Sequence, residues 1–248
     1  TAGVPVYSAP MRAARVLAAM YADGTYTAPG TVQDLNVEPL RALASGALGE
    51  SESRVVLKAA GIPLAKGGLA KSAAEAVFLA SEIGYPVVLK IDSANIIHKS
   101  EVGGVALGVT SEEELRQEYD SILASVMTHT PDARIAGVGV YEMAGGEVVE
   151  MIAGMRRDVV FGPVVLLGMG GIFAETLGDK VLRIAPLAVG EGVAMVRELK
   201  GFPILDGARG RPLADLEALA DVLERLSALA LTHPDISEVD INPLMVRP

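Results

Sequence analysis

The 248-residue sequence contains no cysteine and no tryptophan, only four phenylalanines and six tyrosines, and three histidines. Without cysteine there can be no disulfides, no thiolate metal site and no cysteine nucleophile. The lack of disulfides fits a cytoplasmic chain, since oxidising compartments favour them. No apolar run approaches the roughly 20 residues of a membrane-spanning helix. The opening residues also lack the charged-then-apolar pattern of a signal segment. Positive charge is scarce: 21 Lys and Arg stand against 31 Asp and Glu, for a formal net charge of −10. Nucleic acid and anionic membrane both need a basic face, so neither is expected as a partner. A small polyanion remains open, because a local cluster of cations overrides the global field.

Half of the residues are apolar, and Ala, Val and Leu dominate, which points to an α/β protein with one large core or two modest ones. Ser8 and Pro10 mark a capped helix after a short strand within 1–22. Residues 23–37 read as a linker. Regular patterning begins near Val37, with short helices expected near 38–47 and 51–60. Ser72-Ala-Ala-Glu75 and Ser111-Glu-Glu-Glu114 are capping boxes. The second opens a helix whose stripe is Leu115, Tyr119, Ile122, Leu123, Val126 and Met127. Two strands, 135–143 and 147–153, are expected to form a hairpin across Ala144-Gly145-Gly146. Val164–Leu167 reads as a strand buried on both faces. The longest helix follows Pro212, with an apolar face from Leu213 to Leu229. The last strand holds Asp240 and Asn242, which share a face because they are two apart. The first residue is Thr1, so a processed chain or a piece of a longer one is expected.

The chain is organised around Pro86–Val105. An apolar strand ending in Lys90 is expected to deliver an ammonium to the mouth of a sheet. A polar loop with His98, Lys99 and the pair Gly103-Gly104 follows, and then a strand from Val105 to Val109. Glycines let backbone N–H groups approach oxygen atoms and lysines neutralise charge, so this arrangement suits phosphate. It is not a Walker A loop, which needs GxxxxGK[ST] opening a helix. Gly168-Met-Gly170-Gly171 lacks the GxGxxG spacing of a dinucleotide fold. Asp240 and Asn242 form an oxygen-only pair of the kind that holds Mg²⁺ together with phosphate and water. An imidazole such as His98 can accept and pass on a phosphoryl group, or it can simply bond within its loop. His129 and His233 lie at helix ends and read as structural.

Several of these motifs, in this order, resemble one family: Gly61-Ile-Pro63, Gly84-Tyr-Pro86-Val-Val-Leu-Lys90, His98-Lys99-Ser100-Glu101-Val-Gly103-Gly104-Val105, Phe161-Gly162-Pro163, Gly168-Met-Gly170-Gly171-Ile, Asp179 and Asp240-Ile-Asn242-Pro243-Leu. They are similar to the ATP-grasp part of the ADP-forming acyl-CoA synthetases, relatives of the succinyl-CoA synthetase β subunit. The resemblance covers about residues 37–248. It implies an ATP-grasp fold of two mixed-sheet α+β lobes, about 37–140 and 141–248, with the nucleotide site between them. Residues 1–36 would then be the tail of a preceding CoA-ligase domain plus a linker. Lys90 resembles the lysine contacting the nucleotide phosphates, and Lys99, Gly103 and Gly104 belong to the loop covering them. Glu142, Met143 and Ala144 resemble the adenine-reading hinge, and Glu150 the ribose-holding carboxylate. Asn242 resembles a Mg²⁺ ligand, with Asp240 beside it. His98 resembles the mobile histidine that relays phosphate between domains. The implied reaction is acyl-CoA + ADP + phosphate ⇌ acid + CoA + ATP through phosphohistidine. The implied ligands are ATP/ADP and Mg²⁺, and the implied partners are CoA-binding domains, CoA and a small carboxylic acid.

Three departures stand out. Ser100-Glu101 replaces the family's usual Ser-Asp, a further metal aspartate of the family would lie beyond Pro248, and the CoA-binding half is absent, so turnover by this chain alone is not expected. Two other classes compete. One is a ligand-sensing region of a lysine acetyltransferase, which tends to lose the relay histidine. The other is a carboxylate–amine ligase, which needs no histidine relay. His98 favours the synthetase over both.

Overall fold

The structure, a computed structural model, describes residues 46–96, 98–171 and 178–248. The strand and helix expected within 1–22 and the linker at 23–37 lie outside those residues, as does nearly all of the helix near 38–47. The chain divides into two compact units that meet in sequence between Gly146 and Glu147. Each is described separately.

In the first unit, α1 (Glu50–Ala59) precedes β1 (Gly67–Ala70), α2 (Ala73–Ile83) and β2 (Val87–Asp92). A 3-10 turn (Lys99–Val102), β3 (Val105–Val109), α3 (Glu112–His129) and β4 (Gly137–Glu142) complete it. Both expected caps form. Ser72 Oγ accepts the Glu75 N–H at 3.2 Å, and Ser111 Oγ accepts that of Glu114 at 3.2 Å. The two glutamates reach one residue further back than the usual box, to the N–H groups of Lys71 and Thr110.

The sheet order is β1-β4-β2-β3, with every neighbour antiparallel. This corrects the expectation of a mixed sheet. α2 carries the chain from β1 to a β2 of the same direction, but β4 is inserted between them, so no parallel pair is made. Val87, Leu89 and Ile91 of β2 and Val138 and Val140 of β4 pack with Leu115, Tyr119, Ile122 and Val126 of α3 in one core. The spacing 115, 119, 122, 126 is one helical face. Met127, expected on that stripe, is exposed because it lies off this face.

The second unit holds β5 (Val149–Asp158), β6 (Gly162–Met169), β7 (Lys180–Ile184), α4 (Glu191–Glu198), a short α5 (Phe202–Leu205), α6 (Leu216–Thr232) and β8 (Glu238–Val246). Its sheet order is β7-β6-β5-β8, again antiparallel throughout. The expected hairpin between β4 and β5 does not form, because the two strands belong to different sheets. β4 already pairs with β1 and β2, and β5 with β6 and β8, so neither has a free edge for the other. α6 buries Leu219, Val222, Leu223, Leu226 and Leu229, while Leu213 falls before the helix and is exposed. The buried Ser227 hydroxyl accepts the Leu187 N–H at 2.9 Å, which satisfies it. No described helix is long and apolar enough to cross a membrane.

Arg157 of β5 ties the sheet to the end of α6. Its guanidinium donates to the carbonyls of Ala230, His233 (2.7 Å) and Ile236 (2.9 Å). Ala230 is in the last turn of α6 and His233 caps it, where a helix carries partial negative charge, and Ile236 follows in the loop to β8. Arg157→Met keeps the bulk and removes the donors, so it should lower unfolding stability by about 2–3 kcal/mol. The check is urea unfolding, read as a lower midpoint with an unchanged slope.

Candidate functional site

Lys90 does not stand at a strand end as expected. β2 continues through Ile91 to Asp92, and Lys90 pairs with Val105 on one side and Gly139 on the other. Its ammonium therefore leaves one face of the sheet, the face opposite the Leu89 core. Asp92 shares that face and is 1% exposed. Its carboxylate accepts the N–H groups of Glu50 at 2.8 Å and Ser51 at 2.9 Å. A buried carboxylate needs such partners, and a helix N-terminus supplies them with a favourable dipole. Gly49, just before α1, has no room for a side chain because Asp92 Oδ1 fills the place of a Cβ.

With its backbone so fixed, Glu50 meets both lysines. Oε1 accepts from Lys90 Nζ at 3.5 Å and Oε2 from Lys99 Nζ. Tyr141 lies beside them, with its ring centroid 5.8 Å from Lys90 Nζ and 4.5 Å from the Arg54 guanidinium. Its hydroxyl is buried and has no hydrogen-bond partner among the described residues. Burial pushes the phenol up, the negative charges of Glu50 and Asp92 add to that, and Arg54 opposes it. Glu50, Asp92 and Tyr141 were not singled out from the sequence.

His98 precedes the 3-10 turn. It is exposed, and its ring makes no hydrogen bond among the described residues. Gly103 ends the turn at φ +65°, a left-handed position suited to glycine. Its N–H donates to Ser100 O at 3.2 Å and that of Gly104 to Lys99 O at 2.7 Å. A Cβ on Gly104 would meet Ile91 Cγ2 at 2.6 Å. The glycine pair thus shapes the turn and seats it on β2, with its amides used internally rather than turned outward.

Glu142 ends β4. Its N–H donates to Lys66 O at 2.9 Å, and its carboxylate accepts the Lys66 N–H at 3.4 Å. Met143 and Ala144 follow, with Met143 Sδ above Gly108. In the second unit, Glu150 is exposed on β5. Its carbonyl accepts the Gly170 N–H at 2.8 Å, and a Cβ on Gly171 would meet its carboxylate at 3.0 Å. Gly168-Met-Gly170-Gly171 is therefore where the chain leaves β6 tightly packed on Glu150. Asp179 serves structure: its carboxylate accepts the N–H groups of Lys200 and Gly201 at 3.0 and 2.7 Å.

Asp240 and Asn242 are both exposed on β8; Asp240 pairs with Gly154 in regular register, whereas Asn242 falls within the irregularity between Ile241 and Leu244. Partial desolvation, and then the nearby Glu238 charge, push the Asp240 carboxyl up. Among the described residues no group of three or more His, Asp or Glu forms a cage. The pair fits Mg²⁺, which takes one or two protein oxygens and completes its shell from phosphate and water. Asp240 also borders a concavity of about 610 Å³ on this face, lined by Gly154, Leu166, Leu182 and Ile184.

The sequence matches the ATP-grasp domain family over residues 40–248. It is 45% identical over 197 residues to the β subunit of acetate–CoA ligase [ADP-forming] I from Pyrococcus furiosus, covering 79% of this chain and 84% of that one. It is 41% identical over 257 residues to acetate–CoA ligase [ADP-forming] I of Archaeoglobus fulgidus, covering 99% of this chain but 37% of the relative's length. Among solved structures it is similar to acetyl-coenzyme A synthetase 1 of Ca. Korarchaeum cryptofilum, in complex with coenzyme A and Ca-AMPCP. That likeness has 42% identity and a TM-score of 0.77, and covers 81% of this chain and 87% of the other. A domain match spanning both units, with the β-subunit identity beside it, places the chain in the ATP-grasp family, among the β-subunit-like domains of the ADP-forming acyl-CoA ligases.

Proposed function

We propose that this chain is the nucleotide-binding, phosphoryl-transfer part of an ADP-forming acyl-CoA synthetase. The reaction would be acyl-CoA + ADP + phosphate ⇌ acid + CoA + ATP. The observation that carries this reading is the convergence of Lys90 and Lys99 on one carboxylate, with the exposed His98 directly before Lys99 in the chain. Phosphoryl transfer asks the protein mainly for positioning and charge neutralisation, and two ammoniums on a rigid strand and an adjoining turn supply both.

In this reading Lys90 and Lys99 bind the nucleotide phosphates. Gly103 and Gly104 hold the turn in shape instead of donating to the ligand. Met143 and Ala144, after Glu142, offer backbone to adenine, and Glu150 offers its carboxylate to ribose. Asp240 and Asn242 would hold Mg²⁺, which when bound neutralises and orients phosphate oxygens. His98 acts as the nucleophile of the ATP-forming reaction run backwards. One ring nitrogen forms a bond to the γ-phosphorus as the bond to the bridging oxygen breaks, and the electron pair leaves with ADP.

The acid and CoA would be handled by CoA-binding domains, fused or separate, working with this chain in the cytoplasm. Two facts support such a partner: the Pyrococcus furiosus relative is named as a β subunit, and the Korarchaeum structure contains coenzyme A. The match to the longer Archaeoglobus fulgidus protein extends over 99% of this chain. That supports reading residues 1–36 as the end of a preceding CoA-ligase domain and its linker.

Lys90→Ala should raise the dissociation constant for Mg·ATP at least about tenfold, a loss of ~1.4 kcal/mol. Calorimetric titration checks this, and unchanged binding would contradict the assignment. His98→Asn should leave that constant within about twofold. It should also abolish acid-labile, base-stable labelling of the chain by ATP carrying a radioactive γ-phosphate. Equal labelling of wild type and variant would refute the relay role.

A further inference from the structure

We propose that Glu50 is the positioning residue of the phosphate-binding cations, an inference that rests on the reading of Lys90 and Lys99 just given. One carboxylate receives both ammoniums, one on each oxygen. It therefore fixes how far apart the two cations stand and in which direction they point. Left alone, two neighbouring ammoniums repel, and each lysine carries about 2 kcal/mol of rotamer entropy that ligand binding would have to overcome.

Glu50 can do this because it is itself held. It is the first residue of α1, and its own N–H and the next are bonded to the carboxylate of Asp92. Asp92 stands two residues from Lys90 on the same face of β2. The contacts close a ring: β2 to Asp92, Asp92 to the backbone of Glu50, and the Glu50 side chain back to Lys90 on β2. The Tyr141 ring flanks the Lys90 ammonium within the same cluster. Lys99 ties in the turn that follows His98, so the same carboxylate also seats the segment bearing the proposed nucleophile.

The cluster stays open to a ligand. The side chains of Lys90, Lys99 and Glu50 keep 28%, 19% and 24% of their exposure. Each ammonium has three N–H donors and gives one to Glu50, leaving two apiece for phosphate oxygens. Lys90, Lys99 and Arg54 stand against the carboxylates of Glu50 and Asp92, which leaves one net positive charge in the cluster.

A carboxylate near phosphates could instead act as a competitor for the lysines, and the two roles differ in sign. The experiment is calorimetric titration of the intact chain with magnesium and a non-hydrolysable ATP analogue. It compares wild type with Glu50→Ala, Glu50→Gln, Glu50→Asp and Lys90→Ala, with thermal midpoints recorded for each. Positioning predicts about tenfold weaker binding for Glu50→Ala and several-fold weaker for Glu50→Gln, with part of the loss recovered in the charge-keeping Glu50→Asp. The midpoints should stay within a few degrees of wild type. If Lys90→Ala binds weakly while Glu50→Gln binds as tightly as wild type or more tightly, the positioning role is overturned and the phosphate site stands. If Lys90→Ala binds normally, the phosphate site falls and the role of Glu50 falls with it.

Discussion

The carboxylate of Asp92, buried against the first two N–H groups of α1, is the constraint from which the site follows. It joins a helix to a strand across 42 residues of sequence and places the helix N-terminus over the face of β2 that carries Lys90. Burial of a charge is costly unless it is bonded. Here two charge-assisted hydrogen bonds and the helix dipole offset that cost. The excluded Cβ at Gly49 shows how closely the two elements meet.

From that joint the electrostatics of the first unit can be followed outward. A chain of net charge −10 has to assemble any anion site locally, and it does so with few groups. Glu50 draws Lys90 and Lys99 together, Tyr141 borders Lys90, and Gly103-Gly104 seats the loop on β2 so that Lys99 arrives at the right place. The second unit offers a different chemistry on its open sheet face, with carboxylate and amide oxygens at Asp240 and Asn242 beside apolar Leu166 and Leu182.

Much of this was legible in the sequence. The capping serines at 72 and 111, the strand around Leu89 and the leucine face of α6 follow from local pattern, and the family from motifs in order. What was not legible depends on residues far apart in sequence. Asp92 lies in what reads as the polar loop after Lys90, and Glu50 just ahead of the helix expected at 51–60. Nothing local links positions 50, 92 and 99. The hairpin across Ala144–Gly146 was misread because turn chemistry alone cannot tell a hairpin from a connection between two sheets. Only the strand order shows that β4 and β5 have both edges taken. The glycine pair has a further demand on it that local pattern does not show. Gly103 and Gly104 are required by the turn and by the Ile91 side chain, a packing demand invisible in a glycine-rich string.

The central claim is that Lys90 and Lys99, held by Glu50, are the groups that meet the nucleotide phosphates. A crystal structure of this chain with a magnesium-bound ATP analogue tests it most directly. The account predicts both ammoniums within hydrogen-bonding distance of phosphate oxygens, with the Glu50 carboxylate still against them. An analogue bound away from Lys90, or a Glu50 side chain turned away with the lysines parted, would contradict it.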